Sequence, residues 1–344
     1  MLDDFCDFKI KTKNSDFLVT EVPLLPDIGS SPQKYTYLWL KKSNYTTFEA
    51  LEKVKAFYNL DFSDVCAEGL KDEDGITEQI ISVNKKITKK SVNDFNLTHA
   101  GEETFILFER IIGYGAEPVT AKALHGNTFR VIVRNLTEEE ARLILDYVKS
   151  NKFFSFVNYY DNQRFGLPGG PYLTHLIGKA ICEEKWDEAF ELMKKSGNEI
   201  PEGKTGKAAF ETINPGRVKF YISAYNSYLW NKAVSDYLGT DFKSQLHDFP
   251  NVGELNLPLS AQAVPTGIFT VPGYHFDLET FSAVESDFGR NIILPTTVYC
   301  GQPKDDEIFA DKKCVLLSFF LHTGCYATMM VKQIIKTALE KGHE

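Results

Sequence analysis

The sequence predicts an α+β fold whose first domain is built on a largely antiparallel sheet, and three observations carry that expectation. Strand-like and helix-like stretches follow one another through the first half with few right-handed crossover units between them. After Gly166 the texture changes at Leu167-Pro168-Gly169-Gly170-Pro171, a turn-rich break that leads into longer helical patterns. Strand texture then returns near Ile292-Ile293-Leu294-Pro295. Two domains are therefore expected. On pattern alone the second domain either follows the first or interrupts it.

Taken in order, Lys34-Tyr35-Thr36-Tyr37-Leu38-Trp39-Leu40-Lys41 is an aromatic run bounded by lysines and reads as a strand. Thr46 and Glu49 then form a Thr-x-x-Glu capping box, behind which Leu51, Val54 and Tyr58 recur at helical spacing. Strands are expected at Thr104-Phe105-Ile106-Leu107-Phe108 and at Thr128-Phe129-Arg130-Val131-Ile132-Val133. A second capping box, Thr137 with Glu140, opens a helix whose buried face is Ala141, Ile144, Leu145 and Val148. Amphipathic helical patterns follow near 173–195 and 219–238. Val315-Leu316-Leu317-Ser318-Phe319-Phe320 and an apolar helix around 329–339 are placed to complete the first sheet.

Composition narrows the class. With 344 residues, 43% hydrophobic and 25% charged, the chain can bury one or two cores. No stretch approaches the roughly 18 consecutive apolar residues of a membrane span, and the first residues lack the features of a signal peptide, so no membrane association and a cytoplasmic location are expected. The six cysteines are widely spaced with no Cys-x-x-Cys pair, which suggests neither a zinc cage nor a disulfide scaffold. A net charge of -9 argues against indiscriminate coating of nucleic acid. The run Lys85-Lys86-Ile87-Thr88-Lys89-Lys90 is a local basic cluster that reads either as solvated surface or as an RNA contact.

Three apparent motifs fail on spacing. Gly197 to Thr205 resembles a phosphate-binding loop but has one residue too many between its glycines, and a helical pattern precedes it where a strand belongs. Gly113-Tyr114-Gly115 starts like a dinucleotide fingerprint yet puts Pro118 where the third glycine is needed. Asp72-Glu73-Asp74-Gly75 lies in a loop with Leu70 and Ile81 at the first and last positions where a calcium hand needs ligands. No metal and no cofactor are expected.

The specific signal is Gly69-Leu70-Lys71-Asp72-Glu73-Asp74-Gly75-Ile76-Thr77-Glu78-Gln79, which resembles the active-site stretch of the TruD family of pseudouridine synthases. Five further blocks resemble that family in its own order: Asp16-Phe17-Leu18-Val19-Thr20-Glu21; Gly126-Asn127-Thr128-Phe129; Asn158 to Gly166; Ser223 to Asn231; and Phe320 to Thr328. The chain departs from the pattern at Glu73, at Asp161-Asn162 and at His322.

The resemblance implies a pseudouridine-synthase catalytic domain formed by residues 1–160 plus 293–344, interrupted by a family-specific α+β insertion domain at 161–292, with RNA held between them. It implies Asp72 as nucleophile, Asn127 as the group that holds its carboxylate, and Lys11 as the basic residue that faces the aspartate. By the same carry-over Phe129 stacks on the flipped uracil and Phe17 and Glu21 occupy substrate-site positions, while Arg164 reads equally as a phosphate contact or as a tie between the two domains. The implied partner is tRNA or another structured RNA, not DNA, with the D arm as the usual target, and a monomer is expected. The alternative is a non-catalytic RNA-binding relative that keeps the pocket.

The residue types suit the chemistry on their own. Making pseudouridine breaks a C–N glycosidic bond and forms a C–C bond without redox change, so a carboxylate that attacks or stabilises is needed. A neighbouring lysine favours its ionised form and an amide can donate a hydrogen bond to it. An aromatic face recovers roughly 1–3 kcal/mol of the cost of unstacking the base. Phe129 has no hydroxyl, so it is not the base that removes the C5 proton.

Overall fold

The computed structural model describes residues 7–24, 28–120, 124–166, 170–198 and 201–342, so residues 167–169 of the turn-rich break and Cys6, one of the six cysteines, lie outside the described residues. The chain divides into two compact units. One comprises Met1–Phe154, Thr296–Ala327 and Ile334–Glu344, the other Ser155–Pro295 and Thr328–Gln333.

The first unit begins with β1 (Phe17–Pro23), β2 (Tyr35–Ser43), α1 (Thr47–Tyr58), β3 (Val65–Ala67), β4 (Ile76–Val83), α2 (Lys89–His99), β5 (Phe105–Gly115), β6 (Leu124–Leu136) and α3 (Glu138–Ser150), and β7 (Phe153–Val157) crosses from it into the second at Ser155. Helix α1 starts where the capping box predicts: the Thr46 hydroxyl accepts from the Glu49 amide at 3.2 Å and Glu49 Oε2 accepts from the Thr46 amide at 2.8 Å. It ends at Asn59, whose left-handed φ of 52° turns the chain away. Its buried face, Ala50, Val54 and Tyr58, packs with Leu38, Leu40, Ile81, Val83, Phe95 and Phe108 into one core cluster. Helix α3 buries Ala141, Ile144, Leu145 and Val148, the four residues its spacing singles out. The basic run at 85–90 contains the start of α2, capped by Thr88, and Lys85 donates to the Tyr58 carbonyl at 2.7 Å.

The chain continues through α4 (Thr174–Cys182), α5 (Trp186–Lys195), α6 (Gly206–Phe210), α7 (Pro215–Asp241), β8 (Ser244–Phe249), β9 (Gly253–Pro258), β10 (Ile268–Asp277) and β11 (Ser282–Asn291). The single helical pattern expected near 173–195 is two helices. Glu184 takes a left-handed φ of 56°, and the Lys185 amide closes back on the Ala180 carbonyl. Helix α4 lies so close to α7 that a Cβ on Gly178 would stand 2.0 Å from the Tyr221 carbonyl oxygen, so only glycine fits there. Ile177, Ile181, Phe190, Met193, Phe210, Val218 and Ile222 form the core of this unit. Strands β8 with β9 and β10 with β11 make two antiparallel hairpins.

The last elements are β12 (Ile293–Cys300), β13 (Lys304–Asp305), β14 (Lys313–His322) and α8 (Ala327–Gly342). The large sheet among the described residues runs β5-β2-β4-β1-β6-β14-β12-β7, with β3 on β4 and β13 on β14. It is mainly antiparallel, and β1 with β4 is a parallel pair. Strand β14 pairs with β6, setting Phe319 opposite Phe129 and Leu321 opposite Asn127. On its other edge β6 sets Val19 opposite Phe129 and Glu21 opposite Asn127. This three-strand register at the centre of the sheet gathers side chains from three distant parts of the sequence. No described helix is long and apolar enough to cross a membrane.

Candidate active site

The Asp72 loop joins β3 to β4, and polar side chains fix it from below. Gln79 Nε2 donates to the Gly69 carbonyl at 3.1 Å, and the Lys71 amide donates to the Thr47 hydroxyl at 2.9 Å. The Lys71 ammonium turns inward to Glu21, 2.7 Å away. The other Glu21 oxygen accepts from the Ile80 amide at 2.8 Å. A buried ion pair of this kind is tolerated only where further hydrogen bonds complete it, as here. Gly75 lets the loop close down, since a Cβ there would stand 2.7 Å from the Phe17 carbonyl oxygen.

With its neighbours anchored, Asp72 presents its carboxylate outward; the side chain is 32% exposed. Lys11 Nζ lies 3.6 Å from Asp72 Oδ2 and 2.9 Å from Asp74 Oδ1, and sits 4.2 Å from the centre of the Phe17 ring. Lys11 itself has a left-handed φ of 60°, a conformation unusual for a side-chain-bearing residue and often found at functional sites. Phe17 lies 5.9 Å from Phe129, which stacks at 5.4 Å on Phe319.

The structure thus brings together Lys11, Phe17, Asp72 and Phe129, in the same unit as Glu21 and Asn127. Phe17 and Glu21 are 1% and 2% exposed, and both Glu21 oxygens are bonded within the protein, to Lys71 and to the Ile80 amide. Asn127 makes no hydrogen bond to Asp72 among the described residues; its Oδ1 is buried without a partner. Arg164 belongs to the second unit, where Nε donates to Ser227 at 3.0 Å and Nη2 donates to Ser223. Asn231, one turn further along α7, receives the Tyr160 amide at 2.8 Å and returns a bond to its carbonyl at 2.9 Å. Ser223, Ser227 and Asn231 therefore lace the Asn158 to Gly166 segment onto α7, and Arg164 acts as part of that lacing.

Sequence reasoning missed four participants. Asp74 is the closer partner of Lys11, Lys71 is the inward anchor, and Lys42 and Glu68 are buried beneath the loop. Burial pulls the Lys42 ammonium down to about 8, against the opposing pull of the Asp72 charge. Burial, reinforced by the Glu21 charge, pushes the Glu68 carboxyl up to about 7. Both Glu68 oxygens are without a hydrogen-bond partner. The signal for Glu68 was its place beside Gly69 at the end of a short strand, which only the fold shows to be covered.

The Glu68 shift has a stability consequence. Its folded value lies above the ordinary carboxylate value, so it contributes stability fully present at acid pH that is lost as pH rises through about 7. Glu68→Gln, neutral at every pH, is expected to melt above the wild type at pH 8 and to lose that advantage at pH 4.5. Parallel melting curves of the two proteins across pH 4.5–8 are the check.

Residues 3–200 match the family model for tRNA pseudouridine synthase D (TruD). The chain is 26% identical to the tRNA pseudouridine synthase D of Aquifex aeolicus over 66% of this chain and 65% of that protein. It is 23% identical to that of Leptospira interrogans over 96% of this chain and 97% of that protein. A crystal structure titled as the putative tRNA pseudouridine synthase D (TruD) of Methanosarcina mazei superposes with a TM-score of 0.62, at 17% identity, covering 95% of this chain and 93% of that one. That likeness establishes the shared fold.

Proposed function

Since the chain belongs to the TruD family and is a pseudouridine synthase, we propose that it isomerises a uridine in the D arm of tRNA, at a position-13 type site, with Asp72 as nucleophile. The observation that carries this reading is the half-open Asp72 carboxylate facing Lys11 at 3.6 Å above a loop pinned from beneath. The Lys11 ammonium faces that carboxylate without capping it, because Lys11 is bonded more closely to Asp74.

In the reaction the carboxylate attacks the substrate, or stabilises the charge that develops, as the C1′–N1 bond breaks. The freed uracil turns to bring C5 to C1′, the C–C bond forms, and C5 gives up its proton while N1 gains one, so atoms balance with no redox step. Phe129, 7% exposed and stacked on Phe319, is the proposed stacking partner of the flipped base. Asn127 lies opposite Glu21 and Leu321 in the sheet register, and its proposed part is to donate its amide N–H to the Asp72 carboxylate in the substrate complex. The test is tritium release from C5-labelled uridine in transcribed tRNA. Release from the D arm alone supports the full reading, and release from another RNA or stem retains the activity but replaces the substrate. Tight RNA binding without release on every RNA tried would favour the non-catalytic alternative.

Binding supplies a second expectation. A chain of net charge -9 must use a local basic surface and RNA shape, so affinity for folded tRNA should fall steeply between 50 and 200 mM salt, by on the order of ten-fold or more, and double-stranded DNA should bind weakly. Filter binding on both polymers checks it; equal affinities or a flat salt response would count against it.

A further inference from the structure

We infer that Lys42 is a positioning residue for the reaction: its buried ammonium clamps the backbone of the Asp72 loop and so sets where the nucleophile can reach. The inference rests on Asp72 being the nucleophile. Lys42 lies near the end of β2, between Thr77 of β4 and Ile106 of β5, and is 0% exposed. Lysine is almost never fully buried unless it is paired with a carboxylate. Lys42 makes no such pair among the described residues. Its three N–H bonds face three backbone carbonyls instead: Asp72 at 2.8 Å, Tyr45 at 2.8 Å and Lys71 at 3.4 Å.

The choice of acceptors is informative. Tyr45 immediately precedes the cap of α1, while Lys71 and Asp72 form the tip of the loop, so one ammonium ties the rigid sheet to the helix entrance and to the reacting residue. The other two lysines nearby have different tasks. Lys71 anchors sideways to Glu21 at 2.7 Å, and Lys11 faces the carboxylates from above. With the Asp72 carbonyl fixed, the carboxylate is confined to the arc its own rotamers allow. A stem built only for packing would not need a charged end, and burial pulls this one down to about 8, so the charge is retained at the expense of desolvation.

Displacement of a reacting group by about 1 Å can cost 10²-fold in rate. Lys42→Met keeps the length and apolar body of the side chain and removes all three donors. It should lower kcat by about 100-fold while KM for tRNA changes less than about three-fold, and it should speed amide hydrogen exchange in residues 68–75 but not in β6. Wild-type kcat in folded Lys42→Met overturns the inference, as does a loss seen only in KM. If that variant does not fold, Lys42→Arg decides the same question: it keeps charge and donors but spreads them over a planar fork, so kcat should still fall with KM unchanged, and a wild-type kcat overturns the inference. Asp72→Asn is assayed alongside. If it remains active, the nucleophile assignment fails; if it is inactive while Lys42→Met turns over normally, only the positioning role fails.

Discussion

Asp72→Asn is expected to abolish turnover, by on the order of 10⁴-fold or more, while the protein folds and binds RNA as before. The substitution preserves volume and the backbone carbonyl that Lys42 grips at 2.8 Å. It removes one charge from beside Lys11, but Lys11 keeps its closer partner, Asp74 at 2.9 Å, so no cation is stranded and the melting temperature should hardly move. This separation of effects is what makes the experiment decisive. A carboxylate with a structural role would show lower stability and proportionate loss of activity. A nucleophile shows unchanged stability with no product, read as absent tritium release from C5-labelled tRNA under conditions where the variant still retains that tRNA on a filter. Wild-type release from folded Asp72→Asn protein would remove Asp72 from the mechanism.

What the sequence disclosed and what it hid follow the range of the interactions involved. Both Thr-x-x-Glu helix starts are contacts three residues apart, and the hydrogen bonds of the Thr46 and Thr137 caps are where the pattern puts them. The buried face of α3 is equally local, set by spacing alone. The break between α4 and α5 was not legible, because nothing in Cys182-Glu183-Glu184-Lys185 forbids a helix, and a left-handed glutamate ends it. The Asp72 loop was legible as a string of residue types. Its support was not: Lys11 meets Asp74 across 63 positions, Lys42 meets the Asp72 carbonyl across 30, and Lys71 meets Glu21 across 50. Those pairings exist only once β1 lies beside β4 in parallel and β2 lies on its other edge. Glu21 is expected at a substrate-site position because it sits in a shared block, and its partners Lys71 and Ile80 are visible only in the fold. The fold gives both its oxygens to the protein.

Arg134→Met should have the largest effect on stability, destabilising the first unit by about 3–5 kcal/mol at neutral pH. Arg134 is 2% exposed on β6 and binds Asp16 with two parallel hydrogen bonds, Nε to Oδ2 at 2.8 Å and Nη2 to Oδ1 at 2.7 Å. Its Nη1 donates to Asp306 Oδ1 at 2.9 Å. Asp16 opens the turn into β1 and Asp306 follows β13, so one guanidinium joins the start of the chain, the middle of the sheet and its C-terminal return. Methionine fills part of the space but leaves two fully buried carboxylates without their cation, and that uncompensated charge is the source of the loss. The pH dependence gives the mechanism away. Burial alone would raise Asp306, yet hydrogen bonds from the Asn135 and Ile308 amides and from Arg134 hold it below the ordinary aspartate value. A depressed carboxylate contributes stability that is present above its unfolded value, about 3.9, and is lost as pH falls through the folded one. In Arg134→Met that contribution from the guanidinium is gone, and protonation of the stranded Asp306 relieves the variant as pH drops. The stability gap between wild type and variant should therefore be widest near pH 7 and narrow toward pH 3–4. Urea denaturation of both proteins at those pH values measures it. A gap below about 1 kcal/mol at pH 7, or one that widens in acid, would mean that Arg134 contributes packing and not charge.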